Sequence, residues 1–252
     1  MRILVTNDDG IAAPGLDVLQ TLAGKLSDDV WVVAPESDQS GVSRSLTLHE
    51  PLRCREVAPQ IYAVKGTPAD CVIMGTRHLL GDQAPDLVLS GVNRGQNIAD
   101  DVHYSGTIAG AMEGATLGVP SLALSLATRM SGPDSIIWDM PLAHGVGVIQ
   151  KLLKAGWDKH TVLNINFPDC PPHELQGTML TRQGKRSHGR LMIDERHDTW
   201  GRPYYWFDYE RQRSKADAGT DIWAIYNNWI SVTPLKYNLT DDDESARLAD
   251  KF

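Results

Sequence analysis

A layered α/β fold, in which a mostly parallel sheet is covered by helices on both faces, is predicted by three features of this sequence. Short apolar runs recur at 2–5, 30–34, 87–89, 122–124 and 162–165. Stretches with helical spacing of apolar residues separate the later runs, the alternation expected of strands buried between two helical layers. The chain has 252 residues, enough to bury a sizeable core as one elaborated domain.

The elements follow in order. Arg2-Ile-Leu-Val5 is a short β-rich run, and Leu16, Leu19, Leu22, Ala23 and Leu26 then recur at helical spacing, giving strand, loop and helix. Val30 to Ala34 is a second buried strand. Helices are predicted near 68–80, 107–117 and 139–155, between the strands that follow. Together these define a Rossmann-like three-layer core over 1–181 of a single domain spanning 1–252. Between Thr181 and Gly219 the pattern breaks: Gly184, Gly189, Gly201 and Pro203 interrupt a stretch rich in charge and in aromatics such as Trp200, Tyr204, Tyr205 and Trp206. So long an excursion is either functional or an arm that packs on a partner subunit. Within it, 203–208 reads as a hairpin strand. Thr240-Asp-Asp-Asp-Glu either caps a short terminal helix through Leu248 or belongs to a frayed end.

Composition removes several classes of function. Net charge is −8, from 24 basic and 32 acidic residues, and no basic run is present, which disfavours a nucleic-acid polymer as partner. A small phosphate ester stays open, because one bound cation reverses the local field. Cys54, Cys71 and Cys170 are odd in number and widely spaced, so they read as reduced, structural thiols. The first apolar run is too short for a signal peptide or a membrane span. We therefore expect a cytoplasmic protein with no membrane partner. Asn238-Leu-Thr240 matches a glycosylation sequon by letters only.

Chemistry gathers after the strands. Asn7-Asp8-Asp9-Gly10 follows the first one directly, at the edge of an open α/β sheet where ligands bind. Taken alone, it reads first as a turn in which one Asp caps the helix beginning near Pro14. The other reading is a pair of carboxylates around a hard cation, Mg²⁺ or Mn²⁺. Pro35-Glu-Ser-Asp-Gln-Ser40-Gly41 and Ser90-Gly-Val-Asn93-Arg-Gly-Gln-Asn97 follow two further strands and open on the same edge. There Ser40 and Asn93 offer neutral oxygen ligands. Each is also an ordinary turn residue on its own. Ser105-Gly106-Thr107 begins a helix whose free N–H groups attract an anion, although plain capping is as common for such residues.

Familiar alternatives are missing. The sequence contains no G-x-x-x-x-G-K-[ST] loop, no G-x-G-x-x-G after the first strand, no G-x-S-x-G elbow and no H-E-x-x-H. No histidines pair at metal-ligand spacing, and His103 and His188, near glycine-rich loops, read as surface residues.

Taken together, residues 1–15, Val33-Ala-Pro35 with Gln39-Ser-Gly41, Gly66-Thr-Pro-Ala-Asp-Cys-Val72, Ser90-Gly-Val-Asn93, residues 100–114, Gly219-Thr-Asp221 and Val232-Thr-Pro234 closely resemble the SurE family of survival-protein nucleotidases. The resemblance covers nearly the whole chain, with the segments in family order. It implies one divalent metal per subunit, Mg²⁺ or Mn²⁺, held by Asp8, Asp9, Ser40 and Asn93. It also implies hydrolysis of nucleoside 5′- and 3′-monophosphates and possible action on short polyphosphate. Asn97, Ser105, Gly106 and Thr107 would approach the phosphate, with Asp8, Asp9 and Asn97 in the catalytic centre. A homodimer or homotetramer would form by exchange of C-terminal segments, giving the hairpin and arm region of 182–252 a purpose. Gln96 stands where the family pattern has proline, which is expected to loosen the Asn93 to Asn97 loop, and the chain is short after Leu239. Two other readings compete. A receiver-like signalling module also pairs acids for Mg²⁺, but would need an Asp where Asn93 stands and a Lys near 124–128. A nucleotide-binding protein without turnover is the other.

Overall fold

The five apolar runs lie side by side in one sheet. The computed structural model describes residues 1–128, 138–186, 191–209 and 215–251. Its main sheet has nine strands, in the spatial order β3 (Cys54–Ala58), β4 (Ile61–Val64), β2 (Asp29–Pro35), β1 (Arg2–Thr6), β5 (Leu87–Arg94), β6 (Ser121–Leu126), β7 (Thr161–Phe167), β11 (Trp229–Lys236) and β8 (Gly177–Leu180). β4, β2, β1, β5, β6 and β7 run parallel, while β3 and β11 are antiparallel to β4 and β7.

Alternation of side chains builds the two helical layers. Ile3 and Val5 of β1 pack in the cluster that holds α1 (Pro14–Gly24) and α4 (Asp139–Ala155), while Leu4 between them joins the cluster of α2 (Pro68–Met74) on the other face. α3 (Gly106–Thr116) buries Ile108, Ala111 and Ala115 with Ala123 and Val162. The long helix expected near 68–80 is α2 followed by a π-helical stretch, Gly75–Leu79. Thr67 caps α2, with Asp70 reaching back to the Thr67 N–H at 2.9 Å.

The sequence pattern missed β3, β4, β8 and β11. β3 is an exposed edge strand with Arg55 and Glu56 at its centre, and so carries no apolar run. β11 contains Pro234, which argues against a central strand. β8 pairs only with Trp229–Val232, so Pro234 lies beyond the part of β11 that is flanked on both sides. β11 and α5 (Asp221–Tyr226) come from the 182–252 segment yet pack with the main sheet. Only β9 (Leu191–His197) and β10 (Pro203–Tyr209) form a separate two-stranded ribbon. The terminal helix is present as α6 (Asp242–Leu248), but Asp241 caps it, accepting from Glu244 N at 2.9 Å, rather than Thr240. None of the described helices is long and apolar enough to cross a membrane.

Candidate active site

Strand order fixes where the chemistry gathers. The chain passes from β1 to β2 on one side, and later strands continue from β5 on the other, so the sheet reverses direction between β1 and β5. Ligands of open α/β sheets bind at such a switch point, beyond the carboxyl ends of the strands. The loops after β1, β2 and β5 all leave this edge.

Hydrogen bonds stitch these loops together. Asp8 O accepts from Gln39 N at 2.8 Å, and Ile11 N donates to Pro35 O at 2.8 Å, joining the first loop to the second. Arg94 N donates to Asp9 Oδ2 at 3.1 Å, joining it to the end of β5, which extends through Asn93 rather than giving way to a loop after Leu89. Ser40 and Asn93 are therefore next in sequence to residues that bond Asp8 and Asp9. Neither aspartate caps α1: the N-cap is Ala13, with no side-chain bond, so the turn-and-cap reading does not describe this segment.

Asp8 is buried, and burial pushes its carboxyl up to about 7, with the charge of Asp9 adding to the rise while the Thr107 hydroxyl, donating to Oδ1 at 2.6 Å, opposes it. Asp9 is raised as well, by burial first, then by Asp38, against the Arg94 N–H. Among the described residues, neither forms an ion pair. The Arg94 charge offsets only the smallest part of the rise at Asp9, so a cation would relieve both acids, and the oxygen donors around them fit a hard divalent ion. Asn93 donates through Nδ2 to Gly95 O at 2.8 Å, which leaves its amide oxygen available. Ser40 gives its hydroxyl proton to Asp38 Oδ1 at 2.6 Å, which leaves lone pairs on its oxygen. Among the described residues, no group of three or more His, Cys, Asp or Glu comes together.

α3 brings the anion-attracting end. A Cβ at Gly106 would lie 2.7 Å from Asp8 Cβ, and one at Gly110 would lie 2.9 Å from Ser90 Oγ, so only glycine lets this helix lie against the strand ends. Ser105 is the N-cap, accepting from Ile108 N at 3.1 Å, which is the capping role. Thr107 instead works on Asp8. Asn97 Nδ2 donates to Ser125 Oγ at 2.9 Å and to Thr107 Oγ1 at 3.3 Å, so Asn97, Thr107 and Asp8 form one relay. Gln96 does not leave its loop unanchored: Thr128 N donates to Gln96 Oε1 at 3.3 Å, and Gly95 N to Leu126 O at 2.9 Å. His103 is exposed, and His188 lies outside the described residues.

Several residues at the site were not singled out from sequence. Asp38 orients Ser40 and bears on Asp9. Asn164 and Asn166 lie fully buried on β7 beneath Asn97, donating to its carbonyl at 2.7 and 3.1 Å. Two amides spaced by two inside an apolar run share one face of a strand, and that spacing was the available signal. Asp38 gave no such signal.

The fold and the side chains at this edge define a class: Rossmann-like α/β proteins with an oxygen-rich, acidic site at the topological switch point. Comparison with known proteins narrows it. The family model described as Survival protein SurE matches residues 3–190, and the chain belongs to the SurE family. Curated relatives named 5′-nucleotidase SurE include one from Rhodopseudomonas palustris (strain BisB5), 59% identical over 251 residues, 99% of this chain and 98% of the relative. Another, from Methylorubrum populi, is 57% identical over 252 residues, 100% of this chain and 99% of the relative. The crystal structure of the SurE protein from Aquifex aeolicus superposes with a TM-score of 0.84 at 41% identity, covering 99% of this chain and 100% of that one.

Proposed function

We propose that this chain is a divalent-metal-dependent phosphatase that hydrolyses nucleoside 5′- and 3′-monophosphates to nucleoside and phosphate. The observation that carries the reading is full-length likeness to proteins named 5′-nucleotidase, joined to adjacent carboxylates at the switch point, Asp8 buried and Asp9 half-buried. Short polyphosphate is a secondary substrate in this proposal, since its terminal phosphoryl group presents the same charged oxygens.

Asp8, Asp9, Ser40 and Asn93 would hold one Mg²⁺ or Mn²⁺ per subunit. When bound, that cation supplies Lewis-acid charge to the phosphoryl group and to water. The chain does the rest. Thr107 fixes the rotamer of Asp8 by its hydrogen bond. The Gly106 N–H that opens α3 faces the phosphoryl oxygens with the positive end of the helix, the Thr107 N–H serves Asp8, and Ser105 caps that end. Asn97 turns the N–H of its longer bond, the one to Thr107, toward the same oxygens. Asp9 orients the attacking water and takes its proton, a task suited to a carboxylate made more basic by burial. Water oxygen bonds to phosphorus as the bond to the sugar oxygen breaks, and a proton finishes on the nucleoside hydroxyl.

The protein is proposed to be one domain, cytoplasmic, and a homodimer or homotetramer built through its β9–β10 ribbon and C-terminal segment. The deciding experiment is phosphate release from a panel of mononucleotides and short polyphosphate, with Mg²⁺, Mn²⁺ or EDTA. Release from mononucleotides that EDTA abolishes is expected. Mononucleotide binding without release would leave a nucleotide-binding protein and overturn the hydrolase.

A further inference from the structure

The loop carrying Asn97 has no regular structure over 95–98, so its shape depends on where its backbone groups find partners. Two buried side chains supply them from below. Asn166 accepts from Asn97 N at 2.8 Å while donating to Asn97 O. Two residues on, Asp221 Oδ2 accepts from Ala99 N at 2.9 Å, and its Oδ1 accepts from Gly184 N and Ile222 N, each at 2.8 Å. Asp221 is fully buried and has no ion pair among the described residues, so backbone N–H groups provide its hydrogen bonds. An acid in the first turn of a helix ordinarily serves its own helix end. Here only the Ile222 bond does so. The other two reach segments 122 and 37 residues away in sequence.

Ala99 shows what the clamp holds. Its φ of +51° is unusual for a residue with a Cβ, and it is fixed at both ends, by Asp221 at its N–H and by Gln183 Nε2, which donates to its carbonyl at 2.8 Å. Gly184 lies on the path into the β9–β10 ribbon. Arg186 ties the same two segments again, through its N–H to Asp100 Oδ2 at 2.9 Å and its guanidinium to Asp101.

We infer that Asp221 is a positioning residue for the phosphate-side loop: by clamping Ala99 and Gly184 against α5 it fixes Asn97 and makes that loop and the root of the ribbon one body. The inference rests on the proposed role of Asn97 at the phosphate. It assigns Asp221 no contact with substrate or metal.

Asp221→Asn tests it in the full-length, Mn²⁺-loaded protein. The change keeps the shape but replaces one acceptor oxygen with an NH₂ that must face the N–H of Ala99 or of Gly184. The readouts are kcat and KM for a mononucleotide, inhibition by inorganic phosphate, the Mn²⁺ dissociation constant by calorimetry, and hydrogen exchange over 95–101 and 183–186. Loss of one buried hydrogen bond predicts KM and the phosphate inhibition constant about tenfold higher. Mn²⁺ affinity should stay within about threefold, because the proposed ligands do not touch Asp221. Exchange should rise in both segments together. Unchanged phosphate inhibition would overturn the inference, as would equal losses of Mn²⁺ and phosphate affinity, the mark of a merely structural residue. If Asp221→Asn does not fold, Gly184→Ala decides by the same split, since its new Cβ would sit 2.8 Å from Asp221 Oδ1 with the charge retained. Wild-type protein that binds phosphate but releases none from mononucleotides would defeat the hydrolase reading alone, and the exchange and phosphate-binding readouts would still judge the clamp.

Discussion

The switch-point edge and the β9–β10 ribbon are opposite solutions to burying side chains. At the edge, polar groups are taken out of water and most find partners inside the protein: Asn97, Thr107, Asn164, Asn166 and Asp221 are all buried and hydrogen-bonded, while the buried Thr6 and Ser90 hydroxyls have no partner among the described residues. In the ribbon, apolar groups stay in water, with Phe207 72% exposed and Ile193 65% exposed. Among the described residues its two strands pair only with each other, and an isolated two-stranded ribbon is marginal in water. The difference teaches that the edge gathers its polar groups from within one chain around a place for a cation, whereas the ribbon leaves apolar surface uncovered in the single chain.

The strongest way to break this comparison is at Asp8. Asp8→Asn removes one of the two proposed carboxylate ligands while preserving shape, and kcat/KM should fall by about 10³-fold or more even at saturating metal. Full activity of that variant, measured as phosphate release over a metal titration, would show that the edge does not hold the chemistry.

A smaller effect sharpens the other half. Phe207→Asp places a charge on a side chain that is already exposed in the single chain, so folding of the monomer should be unaffected. Association between copies should weaken by about 10- to 100-fold, the scale of losing an aromatic anchor from an interface. Light scattering on a dilution series reads this directly. An identical mass distribution for variant and wild type would remove the ribbon from the assembly.

What could be read in the sequence follows the same division. Runs such as Leu122 to Leu124 announced their strands because strands buried on both faces need nothing but apolar residues. The proposed ligands could be put at one edge from sequence because Asp8, Asp9 and Ser40 follow strands of the parallel set, while Asn93, expected in a loop, lies near the end of β5, which runs on to Arg94. The supports beneath them were harder to see. Asp221 serves segments far away in sequence, and no local pattern states such a partnership. β3 and β8 escaped for a different reason: short strands with exposed positions lack the apolar density that periodicity detects.

The smallest expected effect concerns the edge without its cation. Asp8 has an ordinary carboxyl value of 3.8 when unfolded and about 7 when folded. Between those values the folded state keeps a proton that the unfolded state has lost, so the folded state binds more protons. Stability from this group is therefore fully present below about pH 4 and is lost as pH rises toward 7. Asp9 is shifted the same way. Acids such as Asp29, held low by Arg2, act with the opposite sign, so the meaningful quantity is the difference between wild type and Asp8→Asn, in which groups not coupled to Asp8 cancel. In metal-free protein the melting temperature of wild type relative to that variant should fall by roughly 5 °C across this window, a loss on the order of 1–3 kcal/mol for a chain of this size. Adding Mn²⁺ at pH 7 should restore wild type and leave the variant little changed, because the cation provides positive charge beside the buried Asp8, which has no ion pair among the described residues. Parallel melting curves against pH for the two proteins would mean that Asp8 does not carry a desolvated charge, and the electrostatic case for a cation at this edge would fall with it.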